Sequence, residues 1–260
     1  KEEIELVEIK NLLEKSIEFR KKRGAIIFES PNSKIKLYEH KVIINKLEKT
    51  ISQIIIAESM ILMGYVTSLF IHKYNLAAAF RIQKINCNPS EILNRYKDSE
   101  IKYILLKQYM GKSYTTIKPG VHESLGLKMY VQCTSPLRRY LDLIIQRQVY
   151  NKINNYEILS KNTVSKIIDY SKSRQIENNN IFKNDKFKYL LLFFKNDKKP
   201  FYKIIFVKWI NQKRNIALVF FPDYSLEILI TFFVSIDIYS NRIYKVKYIE
   251  NDNNLLEFIY

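Results

Sequence analysis

The apolar positions of this chain change period along its length. Over residues 2–19, Ile4, Val7, Leu12, Leu13 and Ile17 recur at helical spacing, with Glu and Lys between them. That pattern predicts an amphipathic helix with those five as its buried stripe. The helix runs into Arg20-Lys21-Lys22-Arg23-Gly24, cations in the last turn with a glycine just past it, which reads as a solvated helix end. Short runs at 25–28, 35–38 and 42–44 predict strands, with a turn at Ser30-Pro31-Asn32-Ser33. Residues 51–74 are apolar all round, from Ile54, Ile55 and Ile56 through Met60, Ile61, Leu62, Val66, Leu69 and Phe70, and predict a long helix buried on most sides. Residues 86–120 read as connecting loops around one helix near 101–110.

The stretch 130–150 begins like a strand and turns into a helix. Ser135 suits the N-cap and Pro136 the first helical position. Leu137, Leu141, Ile144, Ile145 and Val149 then share one face. Two helices are expected at 165–178 and 182–194. At Lys195-Asn196-Asp197-Lys198-Lys199-Pro200 the composition turns polar, as in a linker. Beyond it, runs at 201–210, 216–221, 226–230, 243–249 and 255–260 predict four or five short strands, most simply a small OB-fold barrel. The expected fold class is therefore α+β, mostly helical with short strands and then a β-barrel, divided into residues 1–195 and 200–260.

Composition bears on partners. The chain has 260 residues and a net charge of +17, from 43 Lys+Arg against 26 Asp+Glu. Such an excess suits a polyanion, most simply nucleic acid. Heavy use of Lys, Ile, Asn, Tyr and Phe would equally follow from an AT-rich genome. Cys87 and Cys133 make neither a disulfide framework nor a zinc ligand set. His40, His72 and His122 are scattered and read as surface or core histidines. The chain reads as holding no run of ~18 apolar residues, so no membrane span is expected. The chain begins at Lys1 without a signal or transit pattern, and is expected to be a piece of something longer.

Two places invite chemistry. Arg138 and Arg139 fall in the first turn of the helix, where the dipole disfavours cations. Either they serve an anion, with free amides and guanidinium forks making a phosphate site, or Arg138 pairs with Asp142 and Arg139 is solvated. Glu58 stands alone in an apolar helix. A carboxylate there needs a core cation as partner, or it lines a polar channel. Arg174 and Glu177 are spaced for a surface ion pair. Asp98, Glu100, Asp169 and Asp185 do not form a cluster suited to a divalent ion, which wants several carboxylate oxygens. On the barrel, Phe206, Lys208, Trp209, Phe220, Phe221, Tyr244 and Lys245 could stack or pair with single-stranded RNA, though half of such a list must face the core.

The run Thr134-Ser135-Pro136-Leu137-Arg138-Arg139-Tyr140-Leu141-Asp142-Leu143, preceded by Leu125-Gly126-Leu127-Lys128-Met129-Tyr130, resembles the signature of the RNB family of ribonuclease II and ribonuclease R. Cys133 and Gln146 depart from the commoner Phe or Val and His. The blocks AESMILMGYV and FIHKYNLAAAFRIQ resemble a second stretch of the same domain, with Glu58 and Arg81 at matching positions. The resemblance covers nearly the whole chain, as the later part of the RNB catalytic domain plus a C-terminal OB-fold. The barrel run is most similar to cyanobacterial and plastid members, which would make the location plastid or cytoplasm.

What the resemblance implies is a 3′→5′ hydrolytic exoribonuclease releasing nucleoside 5′-monophosphates from single-stranded RNA. Arg138 would contact the phosphate at the scissile bond, and Glu177 would lie near the catalytic centre. Arg139, Glu58, Tyr130 and Arg81 would contact RNA or shape its channel. The family's Mg²⁺ is held by aspartates upstream of anything aligning here, so no metal ligand is assigned in this chain. The alternative is a catalytically inactive RNA-binding protein or scaffold.

Overall fold

A computed structural model describes residues 2–28, 32–39, 41–48, 50–197, 199–233, 241–250 and 255–260. The order of elements begins α1 (Glu2–Lys21), β1 (Asn32–Tyr38), β2 (Lys41–Leu47), α2 (Ile51–Lys73), β3 (Phe80–Ile82), α3 (Pro89–Arg95), α4 (Lys102–Gln108) and β4 (Tyr114–Thr116). It continues with α5 (Tyr140–Ile153), α6 (Lys161–Asn196), β5 (Tyr202–Asn211), β6 (Ile216–Phe221), β7 (Leu226–Phe232), β8 (Ile243–Ile249) and β9 (Glu257–Ile259). The mixed α+β class is as expected. The chain forms two compact units that do not follow it linearly: 1–28, 49–88 and 109–178 make one, and 29–48, 89–108 and 179–260 the other.

In the first unit, α2 opens on a capping box. Thr50 Oγ1 accepts from Gln53 N and Gln53 Oε1 accepts from Thr50 N, both at 3.3 Å, so two amides without helical partners are satisfied. Gly64 lies flat against Tyr130 and the Val131 carbonyl, and a Cβ there would overlap both. The core gathers Ile71, Ala78, Phe80, Val131, Ile144, Ile145, Val164 and Ile168 from α2, β3, α5, α6 and the chain between them.

Several expectations fail here for tertiary reasons. Of the stripe assigned to α1, only Leu13 is buried, Ile17 is half-buried, and Ile4, Val7 and Leu12 are exposed. Helix α2 is not buried on most sides, since Ile56, Met63, Val66 and Leu69 are exposed. By length and composition α2 could cross a membrane, so the expectation of no such run does not hold. Residues 25–28 are not a strand, because Ala25 N and Ile26 N bond instead to Arg20 O and Ser124 O. Asn32 and Ser33, taken for a turn, begin β1; residues 30–31 lie outside the described residues. Two helices, α3 and α4, stand where one was expected. A single 36-residue α6 replaces the two helices after residue 160, since Glu177–Phe182 contains neither glycine nor proline to stop it.

The second unit is built on a closed barrel of order β5-β6-β7-β9-β8, in which only β7 and β9 pair in parallel. Tight turns close its meander, and Asn215 takes a left-handed φ of 53° that asparagine tolerates better than most residues. Tyr202, Ile204, Phe221, Phe232, Val246 and Phe258 fill the interior with Leu190 and Phe194 of α6. The outward positions Ile205, Val207 and Phe220 are also buried, against Ile101, Ile104 and Leu105. Phe206, Phe220 and Phe221 are therefore core residues, not RNA stackers. Lys208, Trp209 and Tyr244 are half-buried and Lys245 is exposed.

Candidate nucleic-acid interface

The site grows from the loop that enters α5. The chain expected to be the first helical turn is not helical: α5 starts at Tyr140, with Arg139 as N-cap in extended conformation. Ser135 is not the cap. Its carbonyl instead accepts from Arg138 N at 3.3 Å and Arg139 N at 3.0 Å, closing a turn. The cause is Asp142, buried to 1% exposure. Its Oδ2 accepts from Ser135 N at 2.9 Å, Arg139 Nε at 2.9 Å and Arg139 Nη2 at 2.7 Å. One carboxylate thus ties down both ends of the turn. The ion pair is Arg139–Asp142, not Arg138–Asp142. Leu137, expected on the buried face, stands fully in solvent, and Arg138 beside it is exposed. Among the described residues none pairs with the Arg138 guanidinium.

Behind this turn lies a second arginine site. Arg81 N bonds to Tyr130 O at 2.8 Å, and Phe80 bridges Val131, so β3 runs alongside the strand-like entry to the turn. The Arg81 guanidinium donates to Thr115 Oγ1 at 3.0 Å and to Ser113 Oγ. Its two partners are neutral hydroxyls. Burial lowers its pKa; the nearby Tyr130 acts against this and the Arg139 charge adds to it. Tyr130 is buried, its ring edge-on to His122 at 5.6 Å. Burial raises the Tyr130 phenol first, and the Cys133 thiol next. Burial likewise raises the Cys133 thiol, which makes it no ready nucleophile. Arg139 is thus committed to the Asp142 carboxylate, Arg81 to two hydroxyls, and Arg138 is exposed next to Arg139 in the chain.

His122 sits under this charge. Burial, then the Arg81 cation, pushes its pKa down to about 4. Neutral His122 is thus favoured in the fold, and the unfolded chain binds the extra proton between pH ~6.5 and about 4. Stability is therefore full above pH 6.5 and falls as the pH drops through that window. The expected loss is about 2–3 kcal/mol at pH 4.5 relative to pH 7.5. Urea titrations at the two pH values should show it, and His122→Phe, which keeps the ring, should remove that part of the difference. An unchanged pH dependence in the variant counts against it.

The other assigned residues, Glu58 and Glu177, have partners outside this group. Glu58 is 3% exposed and accepts from Arg20 Nε at 2.8 Å, from Arg20 Nη2 at 2.5 Å and from Ser16 Oγ at 2.9 Å. Of the two readings of Glu58, the paired core carboxylate is what is found. Arg20, read as part of a solvated helix end, is its buried partner and also donates to Leu125 O. Glu177 is exposed on α6 and pairs with Arg174 at 2.9 Å. Asp142, Ser113 and Thr115 were missed as site residues. Asp142 was within reach, because it lies in the motif at 134–143. Ser113 and Thr115 carry no sequence signal and arrive through the β3–β4 register, which sets Arg81 opposite Thr115. Among the described residues no group of three or more His, Cys, Asp or Glu converges as a metal site. These residues do not fit Mg²⁺.

Comparison with known proteins places this geometry. The RNB domain matches residues 2–155. An uncharacterized ribonuclease of Synechocystis is 28% identical over 230 residues, covering 87% of this chain and 34% of the relative. The mitochondrial exoribonuclease II of Saccharomyces cerevisiae is 30% identical over 118 residues, covering 41% of this chain and 12% of the relative. Mycoplasma genitalium RNase R, solved with ribose-methylated single-stranded RNA, superposes over 98% of this chain and 48% of its own, with TM-score 0.78 and 19% identity. The Dss1 exoribonuclease of Candida glabrata covers 100% of this chain and 35% of its own, with TM-score 0.83 and 16% identity. The chain spans about a third of the Synechocystis relative and about half of the RNase R chain. With more than half its length matched by the domain, and the arginine turn within the matched residues, the chain belongs to the RNB family.

Proposed function

We propose that this chain is the RNA-gripping part of an exoribonuclease that degrades single-stranded RNA from its 3′ end to nucleoside 5′-monophosphates. The observation that carries the reading is Arg138, exposed and without a partner among the described residues, next in the chain to Arg139, whose charge acts on Arg81. A guanidinium held at a fixed turn suits the doubly oxygenated edge of a phosphate. Arg138 takes the phosphate at the scissile bond and offsets charge that develops there. Arg139, held by Asp142, and Arg81, held by two hydroxyls, lie along the backbone path, and Tyr130 packs behind them. The barrel adds a second basic surface, where Lys203 pairs in register with Lys245 and Tyr244 stacks edge-on with Tyr260. RNase II-type enzymes generally use divalent metal ions. With no fitting ligand group among the described residues, no step is routed through one here.

The same lack of a ligand group favours the second reading, a non-catalytic RNA-binding protein. The isolated chain tests the grip, which both readings share, and turnover by a protein that includes this chain separates them. The 260-residue chain is incubated with 5′-labelled single-stranded RNA and Mg²⁺, alongside Arg138→Ala. The chain is expected to bind RNA with strong salt dependence and not to cleave it. In an active protein that includes this chain, Arg138→Ala should lower turnover by ~10²-fold, the usual effect of losing one such donor. A loss within about threefold would remove Arg138 from the reaction.

A further inference from the structure

The β1–β2 hairpin has two unlike faces, because successive side chains of a strand point to opposite sides. Ile35, Val42 and Ile44 turn inward. Ile44 joins the buried core of the barrel, Ile35 packs against that core, and hairpin and barrel belong to one compact unit. The outward positions are Lys34, Lys36 and Tyr38 on β1 and Lys41, Ile43 and Asn45 on β2, all of them exposed. The register sets Lys36 opposite Ile43 and Tyr38 opposite Lys41, which makes Lys36 and Lys41 diagonal neighbours. Lys34 is the next outward position along β1, so three ammonium groups follow one another on a single face. Neither strand contains an Asp or a Glu. Among the described residues no carboxylate pairs with Lys34, Lys36 or Lys41. Like charges set side by side on a sheet repel. Guarding a sheet edge against unwanted pairing accounts for a lysine on either strand, but not for an exposed ring set in the row, nor for two whole strands without one acid.

We propose that this outward face binds the phosphate backbone of single-stranded RNA, with Lys34, Lys36 and Lys41 as its cations. It uses none of the residues assigned to RNA above, and it rests on the RNA-gripping reading, to which it adds a further place of contact. The chemistry selects a polyanion: a row of unpaired cations meets a row of anions and gains by releasing the counterions that both hold. Lysine suits this task because its ammonium is a point charge on a flexible stem and needs no bidentate geometry. Contacts of that kind follow the backbone and carry no base sequence. Tyr38, 63% exposed opposite Lys41, offers a ring on which any base can stack. The inward isoleucines hold the hairpin on the barrel core, so little backbone remains to be ordered when RNA is bound.

The test uses the 260-residue chain with oligouridylate and oligoadenylate, in EDTA so that neither is cut. Lysines are acetylated with and without RNA, and the modified positions are read by mass spectrometry. Both oligomers are expected to protect Lys34, Lys36 and Lys41, while the exposed Lys161, Lys166 and Lys172 of α6 stay reactive. This arm needs no variant, so it decides the matter even if a substitution disturbs folding. In the second arm, Lys34→Gln with Lys36→Gln and Lys41→Gln should flatten the slope of log affinity against log salt by about two, at ~0.7 per phosphate contact on a single strand. Affinity at about 0.1 M salt should fall by about tenfold or more. Lys161→Gln with Lys166→Gln and Lys172→Gln removes the same charge and should change the slope far less. Equal losses in the two triple variants would reduce the effect to net charge and overturn the proposal. Aggregation of the hairpin variant with RNA affinity unchanged would overturn it in favour of edge guarding, and protection by one oligomer alone would overturn backbone contact. RNA binding by the parent with Lys34, Lys36 and Lys41 unprotected would sink this inference and leave the functional reading standing. A parent that binds no RNA would sink the functional reading and this inference with it.

Discussion

Glu58→Ala should destabilise the first unit by about 3–5 kcal/mol, the usual cost of leaving a buried charge without its partner. Arg20 and Glu58 are each about 4% exposed at the side chain and meet through two hydrogen bonds, with Ser16 as a third donor to the carboxylate. Removing the carboxylate strands the Arg20 guanidinium, whose remaining bond is to Leu125 O at 3.2 Å. The pair as a whole is a different matter. Arg20→Met with Glu58→Leu removes both charges and keeps apolar volume, and such exchanges are often neutral or stabilising. The double variant is therefore expected within about 1–2 kcal/mol of the parent, with the Leu125 carbonyl left as the residual cost. Urea denaturation of the parent, the two single variants and the double variant gives the coupling directly. Additive losses would show that the two side chains do not act as a pair. The same result bears on the channel reading of Glu58, since a carboxylate kept for RNA would cost little stability when removed.

The second large effect is at Asp142. Its single Oδ2 holds the Ser135 amide and two Arg139 nitrogens, so Asp142→Ala should cost about 3 kcal/mol or more. Asp142→Asn keeps an acceptor for the Ser135 amide but no longer neutralises Arg139, and should fall between the parent and the alanine variant. Both variants should also change RNA binding in the same direction. Freeing Arg139 adds one cation at the turn, so weak binding at low salt is maintained or rises, and the slope of log affinity against log salt steepens by about one. Catalysis in an active protein containing this chain should nonetheless fall, because the turn that presents Arg138 is no longer fixed. A flatter salt slope in Asp142→Asn would mean that Arg139 reaches RNA only while held by Asp142.

The two readings of Arg138 and Arg139 show how far sequence reasoning reaches. Helical spacing correctly placed Ile144 and Ile145 inward, but it extended the helix back to Pro136. The actual boundary is set by where a buried carboxylate finds donors, and Asp142 finds them in the Ser135 amide and Arg139. Leu137, which periodicity placed in the core, consequently lies at the tip of a turn. The family motif did mark the correct ten residues. It did not assign the ion pair, because residues 138 and 139 are both arginines within reach of 142 along a helix and only the turn chooses between them.

The barrel was legible because its strands alternate at period two between turn residues, and period and turns are local properties. Which of its aromatics are buried was not legible. Phe220 points away from the barrel interior and is covered all the same, by Ile101 and Leu105 from a distant stretch of chain. Helix α2 gives the opposite lesson. Its length and apolar content were plain, and they suggested burial on most sides. Only the packed structure tells which side is covered, and it covers Glu58, Thr67 and Ser68 while Met63 and Val66 face out.

By itself the sequence determined the α+β class, the barrel, the helices α1 and α2 and the motif that places the chain in the RNB family, because each rests on short-range periodicity or on contiguous identity. The tertiary structure alone decided the partner of Glu58, the partner of Asp142, the hydroxyls that hold Arg81 and the face that α2 leaves open. The partners of Glu58 and Arg81 lie 38, 34 and 32 positions away in the chain, and although Arg139 is only three positions from Asp142, the turn and not the spacing chooses it over Arg138.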